Sequence, residues 1–192
     1  MNSPFARSEL ILGGQKSGKS RRAEERAHAW LQGDPHHEAV LIATARPWDN
    51  EMRERIARHQ RDRAQRVPGL RTVEHAHALG DKLLASSLPH RMVLVDCLTL
   101  WLTHHLMPPP GQAPHTPEAT QDEVNRLCQA IACASGPVVL VGNEIGLGVI
   151  PMGREVRAFV DALGQLNQAV AAQCERVTLM AAGLPLTLKG AP

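Results

Sequence analysis

The sequence predicts an α/β fold, a mainly parallel sheet with helices on both faces. Two observations carry that expectation. Short continuous runs of Val, Leu and Ile alternate with amphipathic stretches, which is the pattern of βα units whose strands are covered on both sides. A chain of 192 residues also fits one ordinary domain and leaves little room for a second, so residues 1–192 are read as a single domain.

The elements follow in order. The runs at 9–12, 40–44, 92–96, 138–141 and 177–181 are the expected strands, with a weaker one at 71–74. Between the first two, 19–32 places Ala23, Ala27, Trp30 and Leu31 at helical spacing, and Gly33 stands where a C-terminal cap belongs. The stretch 49–66 opens on Asp49, a good N-cap, and sets Met52, Ile56, His59 and Arg63 along one face. Thr116 and Pro117 have the form of an N-cap with proline at the first helical position. Beyond them Val124, Leu127, Cys128, Ile131 and Ala132 make an apolar stripe, and Val156, Phe159, Val160, Leu163 and Val170 make another. The proline-rich stretch 108–117 is expected to be a surface loop. Right-handed crossovers between the strands put the helices on both faces.

Composition excludes several classes of function. The formal net charge of +2 is mild, and the only Arg-rich stretch, from Arg53 to Arg71, is interrupted by acids; nucleic-acid binders usually carry a clustered basic face. A small polyanion such as a triphosphate suits these numbers better. No run approaches the roughly 18–20 apolar residues of a membrane span, and 1–9 contain no apolar run typical of a secretory signal. Cys97, Cys128, Cys133 and Cys174 form no paired ligand pattern. They are read as reduced, buried small hydrophobes, which makes a cytoplasmic protein the default.

The motif with chemistry in it is Gly13-Gly14-Gln15-Lys16-Ser17-Gly18-Lys19-Ser20, a full match to the phosphate-binding loop G-x-x-x-x-G-K-[ST]. Gly13 and Gly18 allow the tight turn that points successive N–H groups inward. The helix that follows turns its positive end toward the same anion. Lys19 supplies a point charge to the β and γ phosphates, and the Ser20 hydroxyl can ligate Mg²⁺. A strand before and a helix after give the motif its required context, so the fold is read as a P-loop nucleotide-binding one. Such a site needs a strand-end carboxylate for the metal, and Asp96 closes an apolar strand; the same residue can instead N-cap the next helix. Asn143 and Glu144 follow the fourth strong strand and are expected to face the cleft at the strand ends, or else to form a plain turn.

Five segments in register resemble one family: Gly13-Gly14-x-x-Ser17-Gly18-Lys19-Ser20-Arg21, Ile42-Ala43-Thr44-Ala45, Met52-x-x-Arg55-Ile56-x-x-His59, Val95-Asp96-Cys97-Leu98-Thr99-Leu100-Trp101 and Asn143-Glu144-x-Gly146-x-Gly148-x-x-Pro151. The chain is similar over nearly its whole length to the bifunctional cobinamide kinase/cobinamide-phosphate guanylyltransferases of cobalamin biosynthesis. The resemblance implies phosphorylation of the terminal hydroxyl of adenosylcobinamide, then transfer of GMP from GTP onto that phosphate through a GMP-histidine intermediate. The histidine falls at His59; from the residues alone it is one of ten histidines, at helical spacing from Met52 and Ile56. The likeness also implies that residues 13–20 hold phosphates, that Thr44, Ala45 and Arg46 contact nucleotide, and that Gln60, Arg61, Asp62 and Arg63 do so after the nucleophile. Glu74 would read guanine or ribose, and Asp96 would be the strand-end acid. Substrates would be GTP and/or ATP with Mg²⁺ and a corrinoid, and the assembly would be a homotrimer sharing an open groove between subunits.

The chain departs from the family's usual pattern at Gln15-Lys16, at Arg66-Val67-Pro68-Gly69-Leu70 before the Glu74 strand, and at Thr103-His104-His105. The His36-His37, His75/His77 and His104-His105 groupings show no ligand spacing and are read as surface or incidental histidines. Two other readings stay open on the residues alone. One is a simple P-loop kinase of another small alcohol, the other a nucleotide-dependent switch protein.

Overall fold

A computed structural model describes residues 5–46, 50–75, 77–109 and 111–191. Seven strands form one sheet: β1 (Ser8–Gly13), β2 (Glu38–Ala43), β3 (Leu70–Glu74), β4 (Arg91–Asp96), β5 (Val138–Val141), β6 (Arg176–Ala181) and β7 (Leu184–Lys189). They lie in the order β3-β2-β4-β5-β1-β6-β7. All neighbouring pairs are parallel except β6 with β7. Six helices connect them: α1 (Lys19–Gly33), α2 (Asn50–Arg66), α3 (Leu79–Ser86), α4 (Leu98–Leu106), α5 (Pro117–Cys133) and α6 (Arg154–Gln173).

Strand alternation sorts the core into two layers. On one face Leu10, Val40, Ile42, Val93, Val95 and Leu140 pack with residues of α3, α4, α5 and α6. On the other, Ile11, Leu41, Met92, Leu94 and Val139 pack with Ala23, Ala27 and Trp30 of α1 and with Val67, just past α2. The expectation of a mainly parallel sheet with helices on both faces therefore holds.

Most expected boundaries lie within two residues of those observed. Thr116 caps α5 as expected, its Oγ1 accepting from Ala119 N at 3.2 Å, with Pro117 at the helix start. Gly33 is the last residue of α1 and not its cap, a place taken by Asp34. The expected cap Asp49 lies outside the described residues. Of the α5 stripe, Ala132 is exposed, because the buried arc runs through Ala130 instead. The cysteines are free, with Cys174 buried and Cys97 and Cys128 half-buried; Cys133, expected to be buried, is exposed at the end of α5. Among the described residues no helix is long and apolar enough to cross a membrane.

Candidate nucleotide-binding site

In a parallel sheet the ligand cleft forms at the carboxyl edge of the strands, and strand register shows what arrives there. Ala43 is level with Glu74 on β3 and with Asp96 on β4. Asp96 is level with Val141 on β5, and Gly13 with Met180 on β6. The five segments that carry the family resemblance therefore begin or end at one edge, or on the helix that leaves it.

The loop 13–20 joins β1 to α1. Lys16 and Gly18 have positive φ, 55° and 101°, so the chain curls back on itself. At Gly13 an added Cβ would meet Met180 O at 2.5 Å and Ser17 Oγ at 2.6 Å, which restricts the position to glycine. Two outside elements brace the loop: Glu144 N donates to Gly13 O at 3.0 Å, and Gly183 N, in the β6–β7 turn, donates to Ser17 O at 3.1 Å. Lys19 is buried at the start of α1, its Nζ donating to Gly14 O at 2.6 Å. Burial lowers its pKa and nearby acidic groups oppose that shift. Of these, Cys97 stays a neutral thiol, pushed up to about 12 by burial and by Asp96. At neutral pH the charge acting on Lys19 is then the Asp96 carboxylate.

Asp96 and Ser20 are both half-buried and offer the hard oxygen donors that suit Mg²⁺. Among the described residues no group of three or more His, Cys, Asp or Glu side chains gathers to hold a metal. A Mg²⁺ here would take its other ligands from phosphate and water, as this ion usually does. Ser17 Oγ is buried with no hydrogen-bond partner among the described residues, a donor suited to an anion in the loop. The residues fit a metal–triphosphate.

Thr44, expected to touch nucleotide, is fully buried. Its hydroxyl donates to Cys97 O at 2.7 Å and accepts from Cys97 N at 2.9 Å. Its own N–H donates to Asp96 O, and its carbonyl accepts from His104 Nε2 at 2.7 Å. Thr44 is thus a brace between β2 and β4 that steadies Asp96. Ala45 and Arg46, half-buried, are the members of that segment left at the edge, with Arg46 against His77. His104 and His105, expected at the surface, are buried. They lie on the inward side of α4, where His104 serves Thr44 and His105 packs edge-on to Trp101.

Helix α2 carries Met52, Ile56 and His59 half-buried and Arg63 buried, one inward face as expected. Arg63 Nε pairs with Glu24 of α1 at 3.4 Å and Nη1 donates to Thr72 of β3 at 3.3 Å. Arg66 pairs with the other Glu24 oxygen at 3.1 Å. Arg63 therefore helps to dock α2, through a buried partner 39 positions away. Gln60, Arg61 and Asp62 are exposed, and Gln60 Nε2 donates to Glu74 Oε1 at 3.1 Å. Beside them Arg53, Ile56, Ala57, Gln60 and Glu74 line a hollow of ≈ 180 Å³.

Helices α1 and α2 both leave the carboxyl edge and run the same way, and Glu24 lies one turn beyond Ser20. His59 lies one turn before Arg63, about 6 Å along the axis. Arg63 and Arg66 both meet Glu24, so α2 is docked against α1 with half-buried His59 on its inward face.

A strand–loop–helix cradle with an inward lysine and a facing strand-end carboxylate defines a P-loop nucleotide-binding protein. Residues 9–188 match the family model described as cobinamide kinase / cobinamide phosphate guanyltransferase, and the chain belongs to that family. It is an enzyme of the transferase class. The bifunctional adenosylcobalamin biosynthesis protein CobP of Pseudomonas aeruginosa is 44% identical over 184 residues, covering 96% of this chain and 98% of that protein. The CobU proteins of Escherichia coli and Salmonella typhimurium, of the same description, are 35% and 34% identical, each over 94% of this chain and 98% of the relative. Among solved structures, the flagellar accessory protein FlaH of Methanocaldococcus jannaschii superposes with a TM-score of 0.53 at 10% identity, covering 95% of this chain and 78% of that one. That likeness is one of fold alone.

Proposed function

We propose that the protein phosphorylates the terminal hydroxyl of adenosylcobinamide and then transfers GMP from GTP to the new phosphate, through a covalent bond to His59. What supports this reading is the family match over residues 9–188, together with the docking of α2 on α1 through Glu24, which keeps half-buried His59 on the helix packed beside the one that follows the phosphate loop. A kinase needs only the loop; an imidazole brought to it would add a nucleophile.

In the kinase step the substrate hydroxyl oxygen forms a bond to the γ phosphorus and gives up its proton to solvent, as the bond from the γ phosphorus to the β–γ bridging oxygen breaks and nucleoside diphosphate leaves. Lys19 and the loop N–H groups hold the charge that develops. Ser20 and Asp96 would hold Mg²⁺, which supplies further neutralisation of the phosphate oxygens. In the transfer step a neutral His59 ring nitrogen attacks the α phosphorus and pyrophosphate leaves. The cobinamide phosphate oxygen then takes GMP, and the imidazole is regenerated. Arg46 and Arg61 would supply guanidinium groups to the triphosphate. Glu74 closes the hollow beside Ile56 and Ala57, where a carboxylate suits the paired N–H donors of guanine. The four free cysteines suit a reducing cytoplasm.

The test is to mix the protein with Mg²⁺ and GTP labelled at the α phosphorus, denature it and map retained label. An acid-labile, base-stable adduct at His59, absent in His59→Ala, is the expected result, with cobinamide phosphorylation kept in that variant. Phosphorylation without an adduct leaves a plain kinase; triphosphate binding without either leaves a switch protein.

A further inference from the structure

The segment that follows β5 combines tight polar anchoring with exposed apolar side chains. Leu147, Val149, Ile150 and Met152 are 81%, 96%, 76% and 95% exposed. Scattered exposed apolar residues are ordinary, but a contiguous group of large ones marks a binding surface. The backbone here is pinned at both ends. Asn143 N donates to Thr99 Oγ1 at 2.9 Å and Asn143 O accepts from Asn167 Nδ2 at 3.0 Å. Glu144 N is bonded to Gly13 O, and the Glu144 carboxylate accepts from Gly146 N at 2.8 Å. At the far end Arg157 Nη1, from the first turn of α6, donates to Pro151 O at 3.0 Å and to Met152 O at 2.5 Å. The strap is tied to the phosphate loop at one end and to a helix at the other, and the side chains between stand in water.

We infer that this strap, with Leu147, Val149, Ile150 and Met152 as its contacts, is the platform on which one face of the corrin ring rests. The inference rests on the function proposed above and adds the substrate's seat to it. A corrin is a broad macrocycle fringed with methyl groups and amides. The ≈ 180 Å³ hollow beside Glu74 falls below the roughly 300–1,000 Å³ of ordinary small-molecule pockets, so it cannot take such a ring. A larger hollow of ≈ 570 Å³, lined by Phe5, Trp30, Pro137 and Arg176, lies at the amino ends of the strands, opposite the phosphate loop. The ring must therefore lie on an open surface, close enough for its hydroxyl arm to reach the γ phosphate. The strap meets both requirements, because the Glu144–Gly13 hydrogen bond makes it continuous with the phosphate loop. Pinned backbone also limits the ordering cost of binding. A second copy of the chain would need about 800 Å² per partner for a stable interface, more than a strap of this length offers unaided.

The test uses the full-length protein and a variant carrying Leu147→Ser, Val149→Ser and Ile150→Ser, all at exposed positions where folding has little at stake. Cobinamide binding is measured by equilibrium dialysis, kinase activity by initial rates, GMP labelling by retained label, and molar mass by light scattering. The expected result is a rise of tenfold or more in the Kd and KM for cobinamide, with the KM for nucleotide, the GMP labelling and the mass unchanged. An unchanged cobinamide Kd in an active variant overturns the inference. So does a fall in mass, which would make the occupant a second copy. Failure of the unaltered protein to phosphorylate cobinamide or to take GMP label would instead fall on the proposed function.

Discussion

Lys19 shows how much a single position in this site depends on its neighbours. Its ammonium is buried and faces the Asp96 carboxylate, so it is a fixed charge where phosphate must come. Lys19→Ala is expected to weaken GTP binding by about tenfold to a hundredfold, the worth of a charged hydrogen bond, and to lower both activities; calorimetric titration with Mg·GTP checks it. His105 carries a different consequence. Burial pushes its imidazole down to about 4, with the charges of His115, His77, His104 and Arg46 acting the same way. The folded value lies below the ordinary 6.5, so the neutral ring favours folding. Its contribution is complete above about pH 6.5 and is lost as pH falls toward 4, by at most about 3 kcal/mol. Melting temperature should therefore drop through that window, and His105→Gln should flatten the drop; an unchanged slope would refute the assignment. The loop 13–20 was legible because all its parts are adjacent in the chain. The bracing contacts of Thr44 and Arg63 were not legible, because what they hold, Cys97 and Glu24, is 53 and 39 residues distant.

At the scale of elements, α2 is the part that, on the proposed function, would bring a nucleophile to a kinase-like cradle. It is joined to α1 through Glu24 and to β3 through Gln60 and Arg63. The Glu24 carboxyl is raised by burial against the pull of Arg66 and Arg63. Breaking such a pair on one side leaves buried charge unmatched. Glu24→Gln should loosen the register of α2 and slow GMP labelling of His59 about tenfold or more, while nucleotide binding by the loop changes little. Stopped-time labelling beside calorimetry separates the two; equal loss in both would mean α2 does not position His59. The parallel strands were readable from their Val and Leu runs, but three elements were not. Helix α3 is only eight residues long and begins after Ala78 at φ 41° without a side-chain cap. Helix α4 follows Asp96 after one residue and buries Leu98, Thr99, Trp101, Leu102, His104 and His105, so it shows no polar stripe to reveal its period. Strand β7 contains Pro185, which argues against a central strand; it is tolerated because β7 is at the sheet edge.

At the scale of the whole molecule, the carboxyl edge is where Gly13, Glu74 and Asp96 arrive, and the sheet's outer edge beyond β6 lies close by. Strand β7 ends the sheet order and sends Leu184, Leu186 and Leu188 to one face, 71%, 57% and 56% exposed. A flat, apolar edge strand is a template for association unless something covers it. The turn that starts β7 also holds the phosphate loop, through Gly183 N to Ser17 O. Copies joined along β7 would therefore sit beside one another's loops, and a broad substrate could bridge them. The homotrimer that the family resemblance implies is in keeping with this edge. Light scattering of the unaltered protein should give about three times the 20.9 kDa chain mass. Leu186→Lys, which puts a charge in the middle of the apolar row, should shift the population to monomers. Because β7 steadies Ser17, the monomeric variant should also bind GTP several-fold more weakly. A monomer at working concentration in the unaltered protein would leave the Leu row unexplained and remove the shared groove from the account.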